Sequence, residues 1–242
     1  MKRSKSHEID VFPSETVDPF MGGSLRLIQS KTGYRFSIDA LLLSDFVTIK
    51  QNDTVVDLGT GCGVIPLSIL KSKPAVHIYC VEIQPELAGQ ALRNARLNNL
   101  DHKMSVIIGD MRHLPFPPCS ANVVVCNPPY RKKESGRINP DRRRAIARHE
   151  IFASIDDIIK SARHLLGTKG RLSLIYPAER LGDLLSKLRQ AGFEPKKIRI
   201  IYPDMNSNAK LVLMEAWAGG KSGLTVLPPL LGQGEYAIET QA

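Results

Sequence analysis

Thr54-Val55-Val56-Asp57-Leu58-Gly59-Thr60-Gly61-Cys62-Gly63 is the stretch that decides how this chain reads. Its first five residues make a short apolar run of strand length, and three glycines follow at alternate positions. Glycines so spaced leave the backbone bare, so a ligand can approach it closely. An apolar segment with helical periodicity continues from Val64 to Ser72, and its first N–H groups would point at the same ligand. The spacing is Gly-x-Gly-x-Gly, with Val64 where a dinucleotide fingerprint needs its third glycine, which argues against a nicotinamide oxidoreductase. Asp57, two residues ahead of the first glycine, would repel a pyrophosphate and suits a cationic group.

The alternation of strand and helix extends outward from this stretch. Apolar strand-like runs occupy residues 77–82, 104–108, 121–126 and 171–176, and two more, 198–202 and 211–217, follow one another without a helix between them. Helical periodicity marks residues 85–99, where Pro85 suits a first turn, and residues 152–166 and 178–190. Strands that alternate with helices of this length make a mostly parallel sheet covered on both faces, and two closing strands in succession make the last one antiparallel. Residues 1–24 read as a flexible arm, residues 25–29 and 34–36 as the two strands of a hairpin around Lys31-Thr32-Gly33, and Ser37 as the start of a helix. The domain therefore spans residues 25–242, and its Gly/Pro-rich tail from residue 219 packs on the sheet edge or is partly loose.

Ligands of open parallel sheets bind beyond the carboxyl ends of the strands. An acid stands there after three successive strands: Asp57, Glu82 and Asp110. Glu82 can accept from a ribose diol and Asp110 can face an adenine amino group, with Ile83 and Met111 beside them. A nucleoside that carries positive charge fits this set, and S-adenosyl-L-methionine is such a molecule. The fourth strand ends in Asn127-Pro128-Pro129-Tyr130. The Asn127 side-chain oxygen and the Pro128 carbonyl can each accept one N–H of a planar amino group and aim its lone pair at a methyl carbon. Tyr130 offers a ring on which an extruded base could stack.

The 242 residues are 43% hydrophobic and 24% charged, an ordinary globular balance. No apolar run reaches membrane-spanning length, and no apolar h-region follows the charged start, so a cytoplasmic protein is expected. The four cysteines form no Cys-x-x-Cys pair, which leaves free thiols and no metal site as the expectation. Net charge is +9, and residues 131–148 alone supply +6 of it. Arg131, Lys132, Lys133, Arg142, Arg143 and Arg144 lie in that stretch, directly after the Asn-Pro-Pro-Tyr tetrad, where they would rim a substrate rich in phosphate.

Asp57 to Gly63 with Glu82, Asp110 and Asn127 to Tyr130 resembles the Rossmann-like class I S-adenosylmethionine-dependent methyltransferases that modify planar exocyclic nitrogens. Gly33 to Leu43, Ala145 to Glu150, Leu227 to Leu230 and Gly234 to Tyr236 narrow the resemblance to the tRNA adenine-N6 methyltransferases acting on valine tRNA. The resemblance implies a seven-stranded sheet with an antiparallel last strand, S-adenosyl-L-methionine as cofactor and tRNA as partner. By position it assigns Asp57, Gly59, Gly61, Gly63, Glu82, Ile83, Asp110, Met111 and Asn127 to the cofactor and Asn127, Pro128, Pro129 and Tyr130 to catalysis. It folds residues 34–39 over the methionine end, with Phe36 and Ser37 as contacts there. Release-factor glutamine N5-methyltransferases carry the same tetrad, since a carboxamide is as planar as an adenine amino group. The short segment before residue 54 and the basic stretch favour RNA over that alternative. An inactive RNA-binding module is a further alternative, and the intact acids and tetrad argue against it.

Overall fold

β-branched runs flanked by glycine and proline extend, and the amphipathic runs between them coil, so the chain builds layers rather than a bundle. The structure is a computed structural model that describes residues 9–32, 38–73, 76–128 and 153–232. It begins with a hairpin, β1 (Glu15–Phe20) and β2 (Leu25–Ser30), followed by α1 (Ile38–Phe46). Then come β3 (Thr54–Leu58), α2 (Val64–Ser72), β4 (His77–Glu82), α3 (Pro85–Leu97), β5 (Met104–Ile108) and β6 (Ala121–Cys126). The second half contains α4 (Ile155–Leu165), β7 (Leu166–Pro177), α5 (Leu181–Gln190), β8 (Phe193–Tyr202) and β9 (Leu211–Ala218), and two-residue strands β10 (Thr225–Val226) and β11 (Leu230–Leu231) close it.

The strand order is β10-β8-β9-β7-β6-β3-β4-β5, with β11 also on β8. Strands β3 to β7 run parallel, and β9 lies antiparallel between β7 and β8. The expected mostly parallel sheet with an antiparallel last strand is thus present, and β10 and β11 extend its seven long strands at the β8 edge. The apolar faces of α1, α2 and α3 cover one side, where Val55, Ile78 and Val123 point. Those of α4 and α5 cover the other, against Val56, Val124 and Leu174. Central strands buried on both faces are continuously apolar, as β3 and β6 are apart from Thr54, Asp57 and exposed Asn122. Pro85 opens α3, and a reciprocal capping box of Ser154 and Asp157 opens α4.

The amino-terminal reading needs correction. β2 pairs antiparallel with β1, which precedes it, so residues 15–20 are strand and not part of a flexible arm. A polar stretch holding Pro19 shows no strand periodicity, and only its docking on α3 makes it one. Residues 34–36, expected as the second strand, lie outside the described residues. The two sides of the sheet are also joined near the amino-terminal ends of its strands, where Arg171 of β7 forms a buried ion pair with Asp53 ahead of β3.

Candidate functional site

The strand order reverses between β3 and β6: the chain leaves β3 toward β4 on one side and returns to β6 on the other. A crevice opens at such a switch point beyond the carboxyl ends. There the chain turns through Gly59, Gly61 and Gly63 at φ of 76°, 58° and 88°, a left-handed conformation that side chains resist. The Gly59 and Thr60 N–H groups both donate to the Val81 carbonyl, at 2.9 and 3.1 Å, and this folds the loop over the end of β4. The three glycines differ in their second requirement. A Cβ on Gly63 would stand 2.9 Å from Met104 Cε and 3.2 Å from Ala91 Cβ, so this glycine lets α2 pack on α3 and β5. A Cβ on Gly59 would meet only Met111 Cε, at 3.6 Å, and Gly59 itself is exposed on the crevice side.

Glu82 is buried at the end of β4, where Oε2 accepts from the Gly61 N–H and Oε1 from the Gln84 N–H, each at 2.9 Å. Each oxygen retains a lone pair, enough for the two hydroxyls of a ribose. Asp57 is also buried. Oδ2 accepts from the Thr60 hydroxyl at 2.6 Å, while Oδ1 finds no donor among the described residues. Burial pushes its carboxyl up to about 7, the Thr60 hydrogen bond opposes the shift and the nearby Glu82 charge adds to it. Burial also raises the thiols of Cys80 and Cys126, and the Asp57 charge raises them further. An acceptor without a donor and two crowded acids fit a ligand that carries positive charge and hydroxyls.

Asp110 reaches its expected place after β5, but its acceptors are engaged. Oδ1 takes the Arg112 backbone N–H and Nε at 2.9 Å each, and Oδ2 takes Nε and Nη2 at 2.8 and 2.5 Å. This fork lowers its pKa, the side-chain hydrogen bond from Arg112 acting most. As placed, Asp110 holds Arg112 rather than standing open to an adenine amino group. Met111 is half-buried beside it, with its carbonyl held by the Ser161 hydroxyl at 2.7 Å, and Ile83 is half-buried after Glu82.

Leu58 pairs with Cys126 across β3 and β6, and the Cys126 thiol donates to the Leu58 carbonyl at 3.1 Å. The ladder ends at this pair, so Gly59 and Asn127 are the residues that leave the carboxyl ends of two adjacent strands. Pro128 is buried behind Asn127. Phe36, Ser37, Pro129, Tyr130, Arg131, Lys132, Lys133, Arg142, Arg143 and Arg144 lie outside the described residues. Sequence reasoning missed one contributor. Asn94, in the middle of α3, is fully buried and bonds to the Cys62 carbonyl of the glycine loop at 2.9 Å. Its trace in the sequence is the pair Asn94 and Asn98, one turn apart, the second capping a helix whose other buried residues are Ala88, Gln90, Ala91 and Ala95.

Residues 37–188 match the family described as methyltransferase small domain. The chain belongs to that family. It is an S-adenosyl-L-methionine-dependent methyltransferase, and the glycine loop with Asp57 and Glu82 fits that cofactor. Among curated proteins this small-domain methyltransferase is 27% identical to the tRNA1(Val) (adenine(37)-N6)-methyltransferase of Aliivibrio salmonicida, over 76% of this chain and 77% of that one. It is 35% identical to the protein of the same name from Porphyromonas gingivalis, over 53% of this chain and 51% of that one. Its fold is shared with a predicted O-methyltransferase from Agrobacterium tumefaciens, at TM-score 0.64 and 22% identity over 80% of this chain and 86% of that one. It is also shared with geranyl diphosphate C-methyltransferase from Streptomyces coelicolor, at TM-score 0.56 and 15% identity over 74% and 77% of the two chains. Among the described residues no group of three or more His, Cys, Asp or Glu could hold a metal, and no helix is long and apolar enough to cross a membrane.

Proposed function

We propose that this methyltransferase alkylates the exocyclic N6 of an adenine in tRNA. The observation that carries the reading is the β3–β6 pairing, from whose adjacent carboxyl ends Gly59 and Asn127 emerge, which supports an amino group bound at the tetrad facing the donor loop. The relatives named for tRNA adenine-N6 methylation support the choice of nitrogen and of RNA.

S-adenosyl-L-methionine supplies an electrophilic methyl group on a sulfonium. Asp57 and Glu82 hold the donor's charge and ribose, and Gly59 and Gly61 let it approach. The Asn127 carboxamide oxygen and the Pro128 carbonyl accept the two N–H bonds of the adenine amine, which pulls its lone pair out of conjugation toward the methyl carbon. The N–C bond forms as the S–C bond breaks, and the alkylated nitrogen then loses a proton to solvent. No strong base is required, because that nitrogen becomes acidic on alkylation. Tyr130 would stack on the base, an interaction worth about 1–3 kcal/mol, and Arg131, Lys132, Lys133 and Arg142–Arg144 would meet phosphates.

Incubation with labelled methyl donor and either total RNA or total protein tests this reading. Label is expected in tRNA as N6-methyladenosine. Label on a protein glutamine in place of RNA would overturn the choice of substrate. Asn127→Ala should lower kcat by about 10²–10³ and leave cofactor affinity nearly unchanged. Full activity in that variant would remove the proposed chemistry.

A further inference from the structure

The β1–β2 hairpin, which shows no strand pattern in its first half, is fastened to the helix that supports the glycine loop. Arg93 of α3 grips Glu15 through two bonds, Nη1 to Oε2 at 2.6 Å and Nη2 to Oε1 at 2.7 Å. The same guanidinium donates to the Asp10 carbonyl at 2.8 Å and lies 4.5 Å over the Phe12 ring, while Gln90 adds a bond to Glu15 at 3.0 Å. Two asparagines then treat β2 as a neighbouring strand would. Asn98 accepts from the Arg26 N–H at 2.9 Å and donates to its carbonyl at 2.8 Å. Asn94 accepts from the Ile28 N–H at 2.6 Å and donates to its carbonyl at 3.0 Å. Asn94 also reaches the glycine loop, through its bond to the Cys62 carbonyl between Gly61 and Gly63, whereas the second bond of the Asn98 amide stays within α3, on the Asn94 carbonyl.

We infer that Asn94 is a positioning residue for the donor site, through which docking of the β1–β2 hairpin and binding of S-adenosyl-L-methionine are coupled. One fully buried amide holds both segments. Its Nδ2 bridges the Ile28 and Cys62 carbonyls, so a shift of β2 is passed to the Cys62–Gly63 peptide of the loop. The Gly61 N–H in turn sets Glu82. A buried amide bonded on every side allows few alternative arrangements, and its loss would take an acceptor from the Ile28 N–H and a donor from the Ile28 and Cys62 carbonyls. Coupling of this kind is reciprocal: the cofactor tightens the hairpin to the degree that the docked hairpin tightens the cofactor.

The test uses the full chain and cofactor alone, so it does not depend on the RNA reading. Hydrogen exchange of the wild-type protein should show the Ile28 amide further protected when S-adenosyl-L-methionine is added. Unchanged protection there would overturn the proposal without any variant. Titration calorimetry should give at least a fivefold weaker cofactor Kd for Asn94→Ala. Asn98→Ala, which loses two hairpin bonds but keeps the Asn94 bridge to the loop, should weaken it less than Asn94→Ala does. Equal weakening in both would show that the Asn94 bridge adds nothing beyond hairpin stability and would overturn its positioning role. If Asn94→Ala does not fold, Asn94→Asp serves. It keeps the acceptor for Ile28, sets a carboxylate against two carbonyls, and should weaken the cofactor Kd at least fivefold; an unchanged cofactor Kd in folded Asn94→Asp would also overturn the proposal.

Discussion

Asp57 combines deep burial in the site with an acceptor lacking a donor among the described residues, and its titration should be measurable. Its carboxyl is held at about 7, against 3.8 for a free one. Between these values the folded chain keeps a proton that the unfolded chain has released. The stability of the cofactor-free protein therefore falls as pH rises through that window. A cationic ligand prefers the ionised form, so its affinity should rise as pH passes through 7. Thermal midpoints recorded from about pH 5 to about pH 8, with and without S-adenosyl-L-methionine, should show both slopes, and Asp57→Asn should flatten them. Identical slopes in the variant would assign the effect elsewhere. The glycines make a second prediction. Gly63→Ala combines left-handed strain with a clash against Met104 and Ala91 and should destabilise the fold by about 2–4 kcal/mol in denaturant titration. Gly59→Ala meets no such clash and should weaken cofactor binding more than it weakens the fold. Arg112→Ala frees the acceptors of Asp110, and the KM for cofactor should then fall. A higher KM would mean that Arg112 itself supports the adenine side. Asp57, Glu82 and Asn127 were legible because strand ends are where parallel sheets bind ligands. The fork from Arg112 was not, because an Asp two residues before an Arg reads the same whether the pair is closed or open.

The β1–β2 hairpin shows how an element can depend on another more than on its own sequence. β1 holds Pro19 opposite Arg26 of β2, and the N–H and carbonyl of Arg26 bond to Asn98 instead. The Glu15–Arg93 pair fixes the hairpin from the other side, and its hydrogen bonds hold the Glu15 carboxyl at about 2, below the usual 4.5. A carboxyl lowered in this way adds stability above about pH 4.5 that is lost as pH falls toward 2. After allowance for solvent screening the contribution is about 1–2 kcal/mol. Glu15→Gln should lose that much at neutral pH and little at pH values near 2, with the loss read as faster exchange of β2 amides. Equal stability of the two proteins at neutral pH would discount the clamp. The long strands and helices, by contrast, lie where they were expected, because each shows its own period and breakers, although β7 and β8 each begin five residues earlier than their apolar runs, at Leu166 and Phe193. The hairpin departs because its order is conferred by polar groups of α3, and those leave no periodic trace in residues 9–24.

At the scale of the whole molecule, charge is the property with a functional consequence. A net charge of +9, with +6 of it in residues 131–148, would make RNA affinity strongly dependent on salt. Neutralising Arg142, Arg143 and Arg144 should weaken tRNA binding and reduce the slope of log affinity against log salt by about 0.7 for each phosphate no longer neutralised. Filter binding at several salt concentrations measures both, and an unchanged slope would place the RNA-binding groups elsewhere on the molecule. The sheet provides the frame for the donor site. Its carboxyl edge brings Asn127, Gly59 and Glu82 into one row, while α1–α3 and α4–α5 close its two faces.

Local sequence determined which segments became strands and helices, the glycine turn after β3, the acids at three strand ends and the tetrad after β6, since each rests on chemistry within a few residues. Tertiary structure alone decided that β9 inserts between β7 and β8, that β1 docks on α3 through Glu15 and Arg93, and that Asn94 ties the hairpin to the donor loop. Those outcomes depend on groups far apart along the chain, and their pairing is settled only when packing removes the alternatives that water would otherwise satisfy.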